Sequence, residues 1–190
     1  MRPISGIIAT LLLLTACTGC DNNEEIFPDP AFKACVEWNL KEYYNKDYSV
    51  ENKEHLKIIY SFGCDGGEIR SIEGIQYLTS LTMLGVSNNQ LVSLEPLRGM
   101  KTISSLQLND NHISDISPLA ELEKLESLNI NGNYVTNVLP LAEIHTLNNL
   151  LIRRNCITDF SQMQAIFDAN QELTSITGMT PDDQEPDKCQ

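Results

Sequence analysis

The sequence predicts an α/β solenoid: a curved parallel sheet of short strands, 3₁₀ turns on its convex side, and a helical N-terminal cap. Three observations predict it. Segments beginning at Leu81, Ile103, Leu125 and Leu147 share one pattern of apolar residues, each start lying 22 residues after the last. Within each segment the spacing is mixed, suiting neither a pure strand nor a pure helix. An asparagine recurs in phase, at Asn89, Asn111, Asn133 and Asn155.

The mixed spacing has a physical reading. A triplet such as Leu106-Gln107-Leu108 is a short strand, its leucines pointing inward and its middle residue outward. Stacking such units makes a parallel sheet. The in-phase asparagines form a column whose amides bond the backbone of their own turn and of the next, because buried backbone groups need partners. Later apolar residues at threefold spacing suit a 3₁₀ turn. Glu95-Pro96-Leu97, Ser117-Pro118-Leu119 and Leu139-Pro140-Leu141 mark its start. The register also runs backwards to "IIYSFGCDGGEIRSIEGI", with Ile59, Phe62, Cys64, Ile69, Ile72 and Ile75 in the apolar slots and Gly67 in place of asparagine. That makes five units.

The pattern L-x-x-L-x-L-x-x-N-x-L resembles the leucine-rich repeat, in the 22-residue form typical of bacterial internalins. "FPDPAFKACVEWNLKEYY" resembles the cap that precedes internalin-like repeats, and "SIEGIQYLTSLT" the opening of their first repeat. The resemblance covers roughly residues 27–178.

In the cap, Asp29 is an N-cap with Pro30 at the first helical position. Phe32, Cys35, Val36, Leu40, Tyr43 and Tyr44 follow as a helical stripe. A second, weaker helical segment around Val50–Leu56 leads into the first repeat. Before the cap, "MRPISGIIATLLLLTAC" has a basic start at Arg2 and an apolar run from Ile7 to Leu14. The run is shorter than the roughly 20 residues that span a bilayer, so it reads as a secretory leader. Leu14-Thr15-Ala16-Cys17 resembles the bacterial lipobox, which implies cleavage and lipidation at Cys17. The alternative is an ordinary leader cut nearby, with Cys17 and Cys20 incidental. Cys20 is a second membrane-proximal thiol or another lipidation site. By likeness to lipoprotein sorting, Thr18 after Cys17 fits the outer membrane in a cell with two membranes, whereas Asp21 after Cys20 would suggest the inner one.

The expected boundaries are a leader at 1–16, a tether at 17–26, the helical cap at 27–58, five repeats at 59–168, and a C-terminal cap and tail at 169–190. "SQMQAIFDANQEL" reads as helical, and a last strand is expected at Leu173–Gly178. Export makes disulfides available. Cys64 fills an inward slot of the first strand and Cys35 lies on the helix that covers it, so Cys35–Cys64 is the expected pair. Cys156–Cys189 would pin the tail over the open end. Buried or free thiols are the alternative for both.

Chemistry finds little support. His55, His112 and His145 stand alone, with no H-E-x-x-H and no nucleophile–base arrangement. The glycine-rich Gly63–Gly67 stretch lacks the Lys-Ser/Thr of a phosphate loop. Asp182, Asp183, Glu185 and Asp187 do not follow a calcium-binding loop and read as a solvated tail. No enzyme, cofactor or metal is expected. With 13 Lys+Arg against 26 Asp+Glu, the net charge of −13 disfavours nucleic acid.

The concave face remains. Solenoids of the resembled family generally bind proteins there, which implies partner contacts at Met83, Gln107, Asn109, Asn129, Asn131, Asn149, Leu151 and Arg153. The fifteen outward strand positions include no aromatic residue, a departure from the aromatic-rich faces of host-binding internalins. The expected function is a monomeric, non-enzymatic protein-binding module, lipid-anchored at the bacterial envelope, with an unknown protein partner. A structural envelope scaffold without a ligand is the alternative, and a carbohydrate-binding adhesin a more distant one.

Overall fold

The computed structural model describes residues 25–170, 173–178, 180–185 and 189. The expected leader, Cys17 and Cys20 lie outside them. Six strands form one parallel sheet in sequence order: β1 (Ser61–Gly63), β2 (Met83–Gly85), β3 (Ser105–Gln107), β4 (Ser127–Asn129), β5 (Asn149–Leu151) and β6 (Ser175–Thr177). Register follows the repeat. Leu84 pairs with Leu106, Leu106 with Leu128, and Leu128 with Leu150. These leucines are at most 2% exposed, so each coil buries its strand apex against the next. Truncating one to alanine would cost about 2–5 kcal/mol.

The return path is a 3₁₀ turn in each of the first four coils, at Ile75–Tyr77, Glu95–Leu97, Ser117–Glu121 and Leu139–Glu143. The last three start on a proline at the first or second position, where its missing N–H costs nothing. The fifth coil returns through a true helix, α3 (Ser161–Ala169), following the cap helices α1 (Pro30–Asn39) and α2 (Lys53–Leu56). None of the helices among the described residues is long and apolar enough to cross a membrane.

Between strand and convex turn the chain reverses at a left-handed residue that also repeats every 22 positions. Gly66, Asn88, Asp110, Gly132 and Arg154 all have positive φ. Glycine, asparagine and aspartate tolerate that region best. The next residue in each of the last four turns is the column asparagine. Asn133, for example, donates to Leu108 O (3.0 Å) and Ile130 O (3.1 Å), and its Oδ1 accepts from Ile113 N (3.0 Å). Each side chain closes its own turn and stitches two neighbouring coils.

Both ends are covered. Asp29 caps α1 through Phe32 N (2.9 Å) while its other oxygen accepts from Arg70 N (2.8 Å) and Ser71 N (3.0 Å), fastening cap to first coil. Phe27, Phe32 and Phe62 pack in sequence beneath it, and a Cys35–Cys64 disulfide spans the same junction. At the far end Gln184 takes the place a fifth asparagine of the column would hold. It is 7% exposed, accepts from Asn155 N (3.1 Å) and donates to Ile152 O (3.2 Å). A Cys156–Cys189 disulfide holds the tail there.

One expectation fails. The apolar spacing puts Tyr43 on the helical stripe of the cap, but it is 67% exposed. After Asn39 the helix widens into a π-turn, Leu40–Tyr44, closed by Asn45 N donating to Leu40 O (3.0 Å). The wider turn shifts the phase. Tyr44 goes inward, and Tyr43 outward.

The candidate binding face

The outward residues of the strands divide the concave face into two unlike parts. From β3 to β5 most are amides, and these bond their neighbours sideways. Asn129 donates to Gln107 Oε1 (3.0 Å) and to Asn109 Oδ1 (3.2 Å), and Asn109 donates to Asp110 Oδ2 (2.9 Å). Ser87 donates to Asn109 Oδ1 (2.7 Å) and is itself buried, while Asn149 donates to Ser127 Oγ (3.1 Å). Asn131 Oδ1 accepts from Arg153 N. Parallel register sets these side chains side by side, and each amide spends hydrogen-bonding capacity on its neighbour.

Arg153 is exposed but paired with Asp183 (3.1 Å), and Arg154 with Asp110 (2.7 Å). Hydrogen bonding to Thr180 holds the Asp183 carboxyl below its ordinary pKa against a smaller opposing effect of burial, and the Arg153 charge adds to the lowering. The C-terminal part of the face is therefore internally satisfied. Leu151 is half-buried within it.

The N-terminal part is different. Met83 is 50% exposed on β2. Beside it Gly63 and Gly85 pair across β1 and β2, leaving a strip of floor without side chains. The cap supplies a wall. Trp38 (55% exposed) stands against Tyr43, with ring centroids 5.6 Å apart and edge to face. Tyr44 meets Tyr60 in the same geometry at 6.0 Å, and Tyr44 Oη accepts from Tyr60 N (3.1 Å), which fixes the base of the wall. Trp38, Tyr43, Tyr44 and Tyr60 line an open cleft of about 690 Å³ together with Gly63 and Asp65. Asp65 Oδ1 accepts from Ser87 N (2.8 Å), which orients the carboxylate.

All eight concave residues picked from the sequence therefore lie on or beside one sheet face, yet only Met83 belongs to its apolar part. Sequence reasoning missed Trp38, Tyr43 and Tyr60. A tryptophan between the stripe residues Val36 and Leu40 carried the signal, because a large apolar side chain on a helix's polar side asks for a partner. The histidines stay apart: His55 stacks on Tyr48 at 4.3 Å, His112 on Tyr134 at 5.8 Å, and His145 sits 3.3 Å from Ala169 O. Among the described residues no group of three or more His, Cys, Asp or Glu is placed to hold a metal ion.

Strand, asparagine-locked turn and tight convex return, stacked around a single core, define a leucine-rich-repeat solenoid. The family of leucine-rich repeats in two copies matches residues 101–143. Among solved structures, an internalin (inlF) from Listeria monocytogenes matches with a TM-score of 0.65 at 22% identity, over 80% of this chain and 56% of that one. The chain thus spans little more than half of that internalin's length. Internalin C2 from the same organism matches over 82% of this chain and 89% of that one at 26% identity, but its TM-score of 0.39 adds nothing to the fold assignment. No curated protein matches. In fold, the chain is an internalin-like leucine-rich-repeat protein.

Proposed function

We propose that the chain is a non-enzymatic, protein-binding leucine-rich-repeat lipoprotein displayed at the bacterial envelope, with the concave sheet face as its docking surface. One observation carries the reading: Met83, Trp38, Tyr43 and Tyr60 are all more than half exposed or at the half-way mark around the bare Gly63–Gly85 floor. Protein interfaces draw most of their affinity from tryptophan, tyrosine and arginine, and methionine is enriched in them. The laterally bonded amides from Gln107 to Asn149 form the complementary, weakly contributing rim of that surface, with Leu151 and Arg153 at its far edge.

The leader and Leu14–Cys17 support export and lipid anchoring, and two disulfides fit an oxidising compartment. Thr18 after Cys17 supports the outer membrane where the cell has two. The net charge of −13 argues for a protein partner over nucleic acid, and the chain acts as a monomer. A structural scaffold without a ligand is the second reading, favoured by the self-satisfied amide rows.

Cross-linking on intact cells, followed by identification of the linked protein, separates the two. A saturable partner supports binding; its absence at full surface expression supports the scaffold. Labelling with a fatty acid tests the anchor: Cys17→Ser should lose the label, and retention would overturn Cys17 as the site.

A further inference from the structure

We propose that the cleft between the cap and the first two strands is an arginine pocket, in which a partner's guanidinium lies on the Trp38 ring and pairs with Asp65. This deepens the concave-face reading by naming the chemistry of the contact.

Four observations converge on it. Trp38, Gly63 and Asp65 line two hollows in common, one of them also lined by Cys35 and Cys64, so an aromatic face and a carboxylate border the same space. Asp65 is exposed, and Ser87 N–H holds one of its oxygens, leaving the other aimed by a fixed carboxylate. Among the described residues no cation pairs with Asp65; the arginines at the opposite end of the sheet are committed to Asp183 and Asp110. Nor, among the described residues, does any lysine or arginine cover Trp38, Tyr43 or Tyr60, whereas Lys53 does sit over Tyr77, 4.1 Å from its centroid. The chain fills one aromatic face with its own cation and leaves this one open.

The floor explains how a long side chain gains entry. A Cβ added at Gly63 would meet nothing nearer than Gly85 O at 3.8 Å, so a bound chain can lie directly on the backbone there. A planar guanidinium stacks on an indole and presents forked N–H donors to a carboxylate in one geometry, which a lysine ammonium cannot do. A quaternary ammonium, as in a choline headgroup, would stack equally well but has no donor for the Asp65 oxygen. With 26 acidic residues against 13 basic ones, the whole molecule also attracts a basic segment.

Trp38 is the single tryptophan of the chain, so its emission reports on the pocket alone. The test uses the processed chain in detergent and an end-blocked pentapeptide, Gly-Leu-Arg-Leu-Gly, against the same peptide with citrulline replacing arginine. The arginine peptide should change Trp38 emission saturably, with citrulline at least about tenfold weaker. Asp65→Asn keeps the acceptor for Ser87 N–H, so the turn persists, and should weaken the arginine peptide by about tenfold. Trp38→Ala, followed by anisotropy of a labelled peptide, should do the same. Equal affinity for citrulline, an unchanged Asp65→Asn variant, or an equal response to phosphocholine would overturn the pocket. Failure here with a partner still captured on cells refutes the arginine contact alone; failure of capture with peptide binding intact refutes the docking reading instead.

Discussion

Asn111 reaches back one coil to the carbonyl of Val86, donating at 2.9 Å, while the N–H of Leu91 donates to its Oδ1 at the same distance. Its amide also closes its own turn at Leu108 O (3.0 Å), and the side chain is 4% exposed. One residue thus satisfies three backbone groups that water does not reach.

Asn111→Ala would leave Leu91 N without a partner and take one of two amide donors from Val86 O and Leu108 O, which Asn89 and Asn133 also serve. An unsatisfied buried group costs about 1–3 kcal/mol, so the variant should lose about that much. Asn111→Asp should fare no better, because a carboxylate cannot donate to Val86 O or Leu108 O. Urea unfolding followed by far-ultraviolet circular dichroism measures both. A loss below 1 kcal/mol would contradict the stitching role.

Asp29 gives the fold a pH dependence of known sign. Burial works against its ionisation, but hydrogen bonds from the N–H groups of Phe32, Arg70, Ser71 and Ala31 outweigh that and hold its pKa below the ordinary carboxylate value. A depressed folded pKa means stability that is present above the unfolded pKa of about 3.9 and lost as pH falls through the folded value. Asp29→Asn turns one acceptor into a donor facing Arg70 and Ser71. The variant should be less stable than wild type by about 1–3 kcal/mol at pH 7, with the gap closing as pH falls below the unfolded carboxylate value and the wild-type carboxyl protonates. Melting curves at pH 7, 5 and 3 measure it, and a constant gap would contradict the assignment.

The Cys35–Cys64 bridge closes a separation of 29 residues across the junction of cap and sheet. Replacing both cysteines with serine should lower stability by about 2–4 kcal/mol. Because Trp38 lies three residues along the helix from Cys35, its emission should shift red at lower urea than the circular dichroism transition of the sheet. Coincident transitions would show that the cap does not depend on the bridge.

The repeats were legible because one physical requirement, a backbone turn needing an amide partner, recurs at fixed spacing. Asn88, Asp110 and the two glycines at 66 and 132 are also readable, as residue types that accept positive φ. Arg154 holds the same conformation with no such signature; its pairing with Asp110 is a contact between turns two coils apart, which a single unit of sequence does not display. Gln184 was hidden for a related reason. The fifth coil expands to admit α3, so the residue that finishes the asparagine column falls outside the 22-residue register. Alternation told which strand residues face outward, but not that Gln107, Asn109 and Asn129 would bond one another. The outward turn of Tyr43 depends on a π-turn whose phase the apolar stripe does not encode.

The central claim, that partner affinity resides at the aromatic end of the concave face, is tested most directly by capture from surface-protein extracts of the native cells on immobilised chain. Two triple-alanine variants are compared with wild type: one at Trp38, Tyr60 and Met83, all at least half exposed, and one at Gln107, Asn129 and Asn149, all bonded sideways. The account predicts saturable capture by wild type, loss of at least about a hundredfold in the first variant, and a change within about threefold in the second. Equal capture by both variants, or no saturable capture by wild type, would contradict it.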